Sequence, residues 1–291
     1  MGGINRRVGV APRPSAAGRG SHLCWAVDAD TPFDGWAADF IAEGGRQGER
    51  LLWCAPESTL DQLTADDTVT RLDPSVAMRP GEPLDPVSMY RMIRQEHAAA
   101  RAAGCSGLRI LTDMDWLLGI GATPAELTTF ELLLDEVAAE LGATVACAYR
   151  STTYPPATIT EMMAVHPMRV GAAPFDPGLR VWHLGLDDWA VAGEVDLDNA
   201  ELFGRLLGTA AAGRRVLRLS TAGLAFVAVA GINALLGLAR SRPELRIVIA
   251  EASPALRRSW GLLDLHQELP RIEFAAARDP LRASAATPES V

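Results

Sequence analysis

Leu108-Arg-Ile-Leu-Thr112, followed by Thr123-Pro-Ala-Glu126 and then by Thr144-Val-Ala-Cys-Ala148, is the stretch that decides the class of this chain. Two short β-prone runs enclose one long helical segment. Thr123 offers an N-cap hydroxyl, Pro124 suits the first turn, and Glu126 occupies the capping-box position, so a helix is predicted over Pro124–Leu141. Strands that are apolar at successive positions, alternating with helices, are the pattern of a parallel sheet buried on both faces.

Working toward the N-terminus, His22–Val27 and Leu51–Cys54 add two strands, and Phe33–Gln47 and Pro86–Ala103 add two helices. In the other direction, Gly171-Ala-Ala-Pro-Phe-Asp-Pro-Gly178 concentrates turn formers and reads as a linker over 170–178. Strands are expected next at Val181–Leu184 and Trp189–Gly193. A helix then follows Asp198, whose carboxylate is expected to cap it, with Glu201 three residues on and an apolar face of Leu202, Phe203, Leu206, Leu207 and Ala210. A strand at Val216–Leu219, a helix at Val229–Leu238 and a strand at Leu245–Ala250 continue the alternation. Ser253-Pro254 then opens a helix with Leu256, Trp260 and Leu263 on one side. The predicted architecture is α/β: a mainly parallel sheet domain over 21–169 and a smaller α/β domain over 179–276. The tails 1–20 and 277–291, rich in Arg with Gly, Pro, Ser or Ala, are expected to be mobile.

The composition excludes several chemistries. Among 291 residues all 27 basic ones are Arg. Without Lys the chain forms no Schiff base with a carbonyl substrate and cannot complete the G-x-x-x-x-G-K-[ST] phosphate loop. A net charge of −9 disfavours long-range attraction to a phosphate backbone, so nucleic acid is not an expected partner. Arg6, Arg7, Arg13 and Arg19 have no apolar run behind them, and a cytoplasmic location is expected. The uncharged run Leu219–Ala239 is punctuated by Ser220, Thr221, Gly223, Gly231, Asn233 and Gly237 and lacks aromatic anchors at its ends, so no membrane span is expected. Cys24, Cys54, Cys105 and Cys147 form no C-x-x-C and are expected to be reduced thiols.

Ligands of open parallel sheets sit outside the carboxyl ends of the strands. That rule selects His22 and Cys24 on the first strand, Cys54 at the end of the second, Asp113 and Trp116 after the third, and Cys147 and Tyr149 on the fourth. Aromatic walls with a few polar groups and thiols suit a small, partly apolar ligand. His22, Cys24 and Asp113 could also serve an enzyme, with Cys24 as nucleophile and His22 as base. The same trio has metal-ligand chemistry, but H-x-C on one strand defines no tetrahedron, and neither metal nor cofactor is expected. His97, His166, His183 and His266 are isolated in sequence and read as surface or packing residues.

His22-Leu-Cys-Trp25, Gly48-Glu-Arg-Leu-Leu-Trp-Cys-Ala-Pro-Glu57, Leu108-Arg-Ile-Leu-Thr-Asp-Met-Asp-Trp116 and Ala146-Cys-Ala-Tyr149 together resemble the MEDS domain, the sensory domain of methanogen and methylotroph regulators, over about 20–168. The resemblance implies a RecA/KaiC-type sheet that has lost its nucleotide loop and senses hydrocarbon derivatives or related signals. It adds Trp25 to the ligand-binding set. At the place of the phosphate loop the chain has Val27-Asp-Ala-Asp-Thr-Pro-Phe-Asp34, three carboxylates that would repel a triphosphate.

Val191-Ala-Gly-Glu-Val-Asp-Leu-Asp-Asn199, Leu217-Arg-Leu-Ser220, Leu224-Ala-Phe-Val-Ala-Val-Ala-Gly-Ile232 and Ser253-Pro-Ala-Leu-Arg-Arg258 resemble a STAS domain, the fold of anti-sigma factor antagonists. The resemblance implies a partner-binding surface around Asp196, Ser220, Val229, Ala230 and Gly231, with an anti-sigma factor or other signalling protein as partner. In that family a D-S-[ST]-G segment carries a phosphorylated Ser; Ala228-Val-Ala-Gly231 stands there, and Val229 has no hydroxyl. The expectation is a non-enzymatic regulator, with a small-molecule enzyme or ligand-binding protein using His22, Cys24 and Asp113 as the alternative.

Overall fold

The computed structural model describes residues 8–55, 68–72, 84–171, 175–185, 188–263, 265 and 271–275. The chain divides into two compact units, Met1–Gly185 and Leu186–Val291.

The first unit is built on a seven-stranded sheet. Its strands are β1 (Gly9–Val10), β2 (His22–Val27), β3 (Arg50–Cys54), β4 (Val69–Leu72), β5 (Leu108–Asp113), β6 (Thr144–Arg150) and β7 (Met168–Val170), in the order β1-β7-β2-β6-β5-β3-β4. Every paired neighbour in it is parallel. The four strands predicted from sequence form its centre, and the short strands β1, β4 and β7 were not anticipated. β1 pairs with β7, and Ala11 and Ala17 are buried in the core. The expected mobility over 1–20 is therefore corrected for residues 8–20, whose apolar groups have a surface to bury against. The tail 277–291 lies outside the described residues.

Helices α1 (Phe33–Arg46), α2 (Pro86–Ala102), the short α3 (Asp115–Gly119), α4 (Pro124–Leu141) and α5 (Pro156–Ala164) flank the sheet. The side chains of β-strands alternate between faces, which sorts the core in two. Leu23, Trp25 and Val27 of β2, Leu51 and Trp53 of β3, Leu111 of β5 and Ala146 and Ala148 of β6 share one cluster with Phe33, Ala37 and Phe40 of α1. α1 comes this close because Gly44 carries no side chain: a Cβ there would lie 2.5 Å from both Arg109 Cδ and Leu51 Cδ2. The opposite face receives α4. This helix is closed at its start by the predicted capping box, Thr123 accepting from the Glu126 amide while the Glu126 carboxylate accepts from the Thr123 amide. It ends at Gly142, whose φ of 64° is left-handed.

The last strand of this unit is β8 (Leu179–Gly185). In the second unit β9 (Asp188–Val195), β10 (Val216–Val227), β11 (Arg246–Glu251) and β12 (Ile272–Phe274) pair in parallel. Helices α6 (Ala200–Ala210), α7 (Val229–Ser241) and α8 (Pro254–Leu262) complete it. Three details differ from expectation, the first being β12, which was not anticipated. β10 runs on to Val227, with register shifts after Ser220 and Leu224. Asp198 does not cap α6; Asp196 instead accepts from the Asp198 and Asn199 amides, and Asn199 Oδ1 accepts from the Asp196 amide. The aspartate two residues earlier is the one placed to fold back on the turn. Among the described residues no helix is long and apolar enough to cross a membrane.

A buried histidine and carboxylate cluster

The sheet register brings the thiols into one row. Cys24 lies beside Cys147, Cys147 beside Thr112, and Thr112 beside Cys54. On this face, and two residues along each strand, sit His22 and Tyr149. α4 supplies the partners: Glu131 and Asp135, one turn apart on its buried side, are both fully buried. Such carboxylates persist only when their lone pairs are satisfied.

Glu131 is satisfied from several sides. Tyr149 donates to its Oε1. Its Oε2 lies 3.2 Å from His22 Nε2, 3.3 Å from His166 Nε2 and 3.5 Å from Cys147 Sγ. Asp135 spans two elements, with Oδ1 3.2 Å from His22 Nδ1 and Oδ2 accepting from the His183 amide of β8 at 2.7 Å. His166 Nδ1 is 2.7 Å from the Met162 carbonyl at the end of α5, and the His22 and His166 rings are 4.0 Å apart. The four donor atoms of His22, Glu131, Cys147 and His166 lie within 4.8 Å of one another.

The electrostatics follow from burial and pairing. Burial opposes a charge on His22, but its hydrogen bonds to Asp135 and Glu131 outweigh it and raise the imidazole above its ordinary value. Burial likewise opposes charge on Glu131, yet the adjacent His166 and His22 hold the carboxyl well below the usual range. Burial and then the Glu131 charge push the thiols of Cys24 and Cys147 and the phenol of Tyr149 far up. Raised thiols are poor nucleophiles at neutral pH.

The residues selected from sequence therefore separate. His22, Cys147 and Tyr149 meet, with Cys24 beside Cys147. Cys54 shares their row two strands away. Trp25 and Asp113 do not join them, because their strand positions place them on the α1 face. Trp25 stacks on Phe33 at 4.9 Å. Asp113 accepts from Arg150 Nη2 at 2.7 Å, and the same Arg150 lies over the Phe33 ring. Trp116 is buried edge-on against Phe130 of α4. The trio of His22, Cys24 and Asp113, whether as enzyme or metal site, is thus corrected: the sheet stands between Asp113 and the other two. The expected position is corrected as well, since His22 is the first residue of β2 and the cluster lies at the inner face of the sheet. His166, taken as a surface or packing residue, is a member of it. His266 lies outside the described residues.

The turn at the place of a phosphate loop is closed by its own side chains. Asp28 accepts from the Thr31 hydroxyl and the Asp30 amide, and Thr31 Oγ1 accepts from the Asp28 amide, so the turn satisfies itself.

In the second unit the five expected contact residues also differ. Val229 opens α7 and is 56% exposed, and Leu197 is 80% exposed. Ala230 is half-buried and Gly231 buried. A Cβ on Gly231 would lie 2.5 Å from Val195 Cγ1, so glycine seats the first turn of α7 on the ends of β9 and β10. Ser220 is corrected: it is buried and donates to Glu251 at 2.7 Å. Asp196 serves the turn before α6.

Solved structures similar to the chain include an anti-sigma factor antagonist from Mycobacterium paratuberculosis, 21% identical with a TM-score of 0.31 over 37% of this chain and 95% of that one. The anti-sigma factor antagonist SpoIIAA in its unphosphorylated form is 18% identical, with a TM-score of 0.28 over 38% of this chain and 99% of that one. No curated protein matches the chain. The family model described as MEDS, the methanogen/methylotroph DcmR sensory domain, matches residues 21–167. That match takes in the sheet from β2 to β6, α4 and all four residues of the buried cluster, and it spans half of the sequence: the chain belongs to the MEDS family.

Proposed function

We propose that the chain is a non-enzymatic signalling regulator in which a MEDS sensory unit accompanies a STAS-like unit that docks onto an anti-sigma factor or another signalling protein. The reading is carried by Val229, an aliphatic side chain held out to solvent at the first turn of α7, with Leu197 also exposed on the loop after β9. The strand ends before them are held together, the Ala228 amide donating to the Val195 carbonyl at 2.7 Å. A partner would cover apolar surface there, and association would draw on burial. Val229 supplies no hydroxyl for phosphorylation, so docking would not be switched by phosphate on that residue. The fully buried, raised thiols of Cys24 and Cys147 favour a sensor over a thiol enzyme.

Isothermal titration of the full chain against anti-sigma kinases encoded in the same genome tests the proposal. Binding is expected, and Val229→Asp should weaken it at least about tenfold by burying an unpaired charge. Absence of binding to every candidate, or binding indifferent to Val229→Asp, would overturn it.

A further inference from the structure

From the buried cluster of the first unit we infer a transition-metal site: His22 Nε2, His166 Nε2, Glu131 Oε2 and Cys147 Sγ form a tetrahedral pocket for one zinc-class divalent cation. This inference does not depend on what the second unit binds.

The first argument is geometric. Zinc bound at about 2.0–2.3 Å to nitrogen, oxygen and sulfur separates neighbouring ligand atoms of a tetrahedron by roughly 3.3–3.8 Å. Four edges are fixed here: 3.2 Å from His22 Nε2 to Glu131 Oε2, 3.3 Å from His166 Nε2 to Glu131 Oε2, 3.4 Å from Cys147 Sγ to His22 Nε2, and 3.5 Å from Cys147 Sγ to Glu131 Oε2. These four edges need only small adjustments to admit a metal at their centre, and the other two, from His166 Nε2 to His22 Nε2 and to Cys147 Sγ, lie within 4.8 Å.

The second argument is orientation. In metal sites each ligating imidazole gives its other N–H to a carboxylate or a backbone carbonyl, which fixes the tautomer and directs the remaining lone pair at the metal. Both arrangements are present: His22 Nδ1 meets Asp135 Oδ1, and His166 Nδ1 meets the Met162 carbonyl. Tyr149 occupies Glu131 Oε1 and leaves Oε2 to the centre.

The third argument is an unmet need. His166 Nε2 is buried and lies 3.3 Å from Glu131 Oε2, outside hydrogen-bond geometry. A lone pair facing a carboxylate oxygen is repelled by it, and a cation between the two satisfies both. On binding, Cys147 gives up its thiol proton to solvent and the metal forms the new bond to sulfur. Thiolate and carboxylate together balance a divalent charge, as a dry site requires. Two imidazoles, one thiolate and one carboxylate suit zinc or cobalt rather than magnesium or calcium, which take oxygen shells.

The test uses the full chain, produced in minimal medium containing Co2+ in place of Zn2+ because the cluster is closed to solvent in the folded protein. The expected results are a metal-to-protein ratio near one, visible ligand-field bands of tetrahedral cobalt, and an ultraviolet thiolate-to-cobalt charge-transfer band. Cys147→Ser should abolish the charge-transfer band, whereas Cys105→Ser should leave it unchanged. Asp135→Asn, which keeps the four ligands while changing the support of His22 and the acceptor of the His183 amide, should weaken metal affinity about 10–100-fold. X-ray absorption on the unsubstituted protein needs no variant and should show one sulfur among four scatterers. Substoichiometric metal, an all-oxygen and nitrogen shell, or a charge-transfer band surviving in Cys147→Ser would overturn the assignment.

Discussion

Arg150, the last residue of β6, holds Asp113, the last residue of β5, through a 2.7 Å contact between Nη2 and Oδ2. Asp113 is 1% exposed, so this partner neutralises a charge that water cannot reach. Its Nε lies 3.4 Å from Asp115 as well. Removing the cation leaves the buried Asp113 carboxylate uncompensated, and Arg150→Ala is expected to cost about 3 kcal/mol. Urea denaturation of the variant gives the number; a loss below about 1 kcal/mol would show that Asp113 finds other compensation.

Gly44 and Gly45 are adjacent in α1 but face different surroundings. A methyl at Gly44 meets Arg109 and Leu51 at 2.5 Å, while one at Gly45 meets nothing within 4 Å. Gly45→Ala should stabilise by about 0.5–1 kcal/mol from helix propensity. Gly44→Ala gains the same propensity but overpacks the α1 face, for a net loss of about 1–2 kcal/mol. Thermal melts of the two variants should move in opposite directions, and a parallel rise would refute the close approach of α1.

The capping box of α4 makes stability depend on pH in a predictable direction. The Thr123 amide, and then its hydroxyl, hold the Glu126 carboxyl below its ordinary value in the folded state. A depressed folded value means that this stabilisation is complete above the unfolded carboxyl range, about pH 4.3, and is lost as pH falls through the folded value. Glu126→Gln should therefore be less stable than the parent at pH 7 and approach it below pH 4. Thr123→Ala should cost about 1 kcal/mol at pH 7. Urea melts at the two pH values check both statements, and a gap for Glu126→Gln that widens in acid would contradict the sign.

Thiol chemistry separates the cysteines. Cys24, Cys54 and Cys147 are buried, whereas Cys105 is partly exposed. Iodoacetamide at pH 8 followed by mass spectrometry should modify Cys105 alone in the folded chain and all four after unfolding. Rapid modification of Cys24 would revive the thiol enzyme.

The ordered centre of the fold was legible because local chemistry and burial agree there. Thr123-Pro124-Ala125-Glu126 states a helix start in its own hydrogen-bonding groups, and the four central strands are mostly apolar and buried at nearly every position. The flanking strands escaped because Val69–Leu72 and Met168–Val170 are three or four residues long and owe their extension to a neighbour. The cluster was half legible. His22 and Cys24 are two apart and share a face, and the same alternation sets Trp25 on the other one, which needed no structure to see. Asp113 was different, since its face depends on the register between β5 and its neighbours. Glu131 and Asp135 look like solvated helix carboxylates in sequence; the signal was their place on the buried stripe of Leu127, Leu134 and Ala138. His166 follows α5, and nothing in its local sequence points to His22.

Asp135 gives one oxygen to an imidazole and the other to a strand. Its Oδ1 meets His22, and its Oδ2 holds the His183 amide of β8. Electron density drawn toward one oxygen is withdrawn from the other, so the state of His22, with a proton or with a metal, is written into the hydrogen bond at His183. The amide of His183 is therefore a reporter: its nitrogen chemical shift and its rate of exchange with deuterium should follow what happens at a cluster no solvent probe can reach.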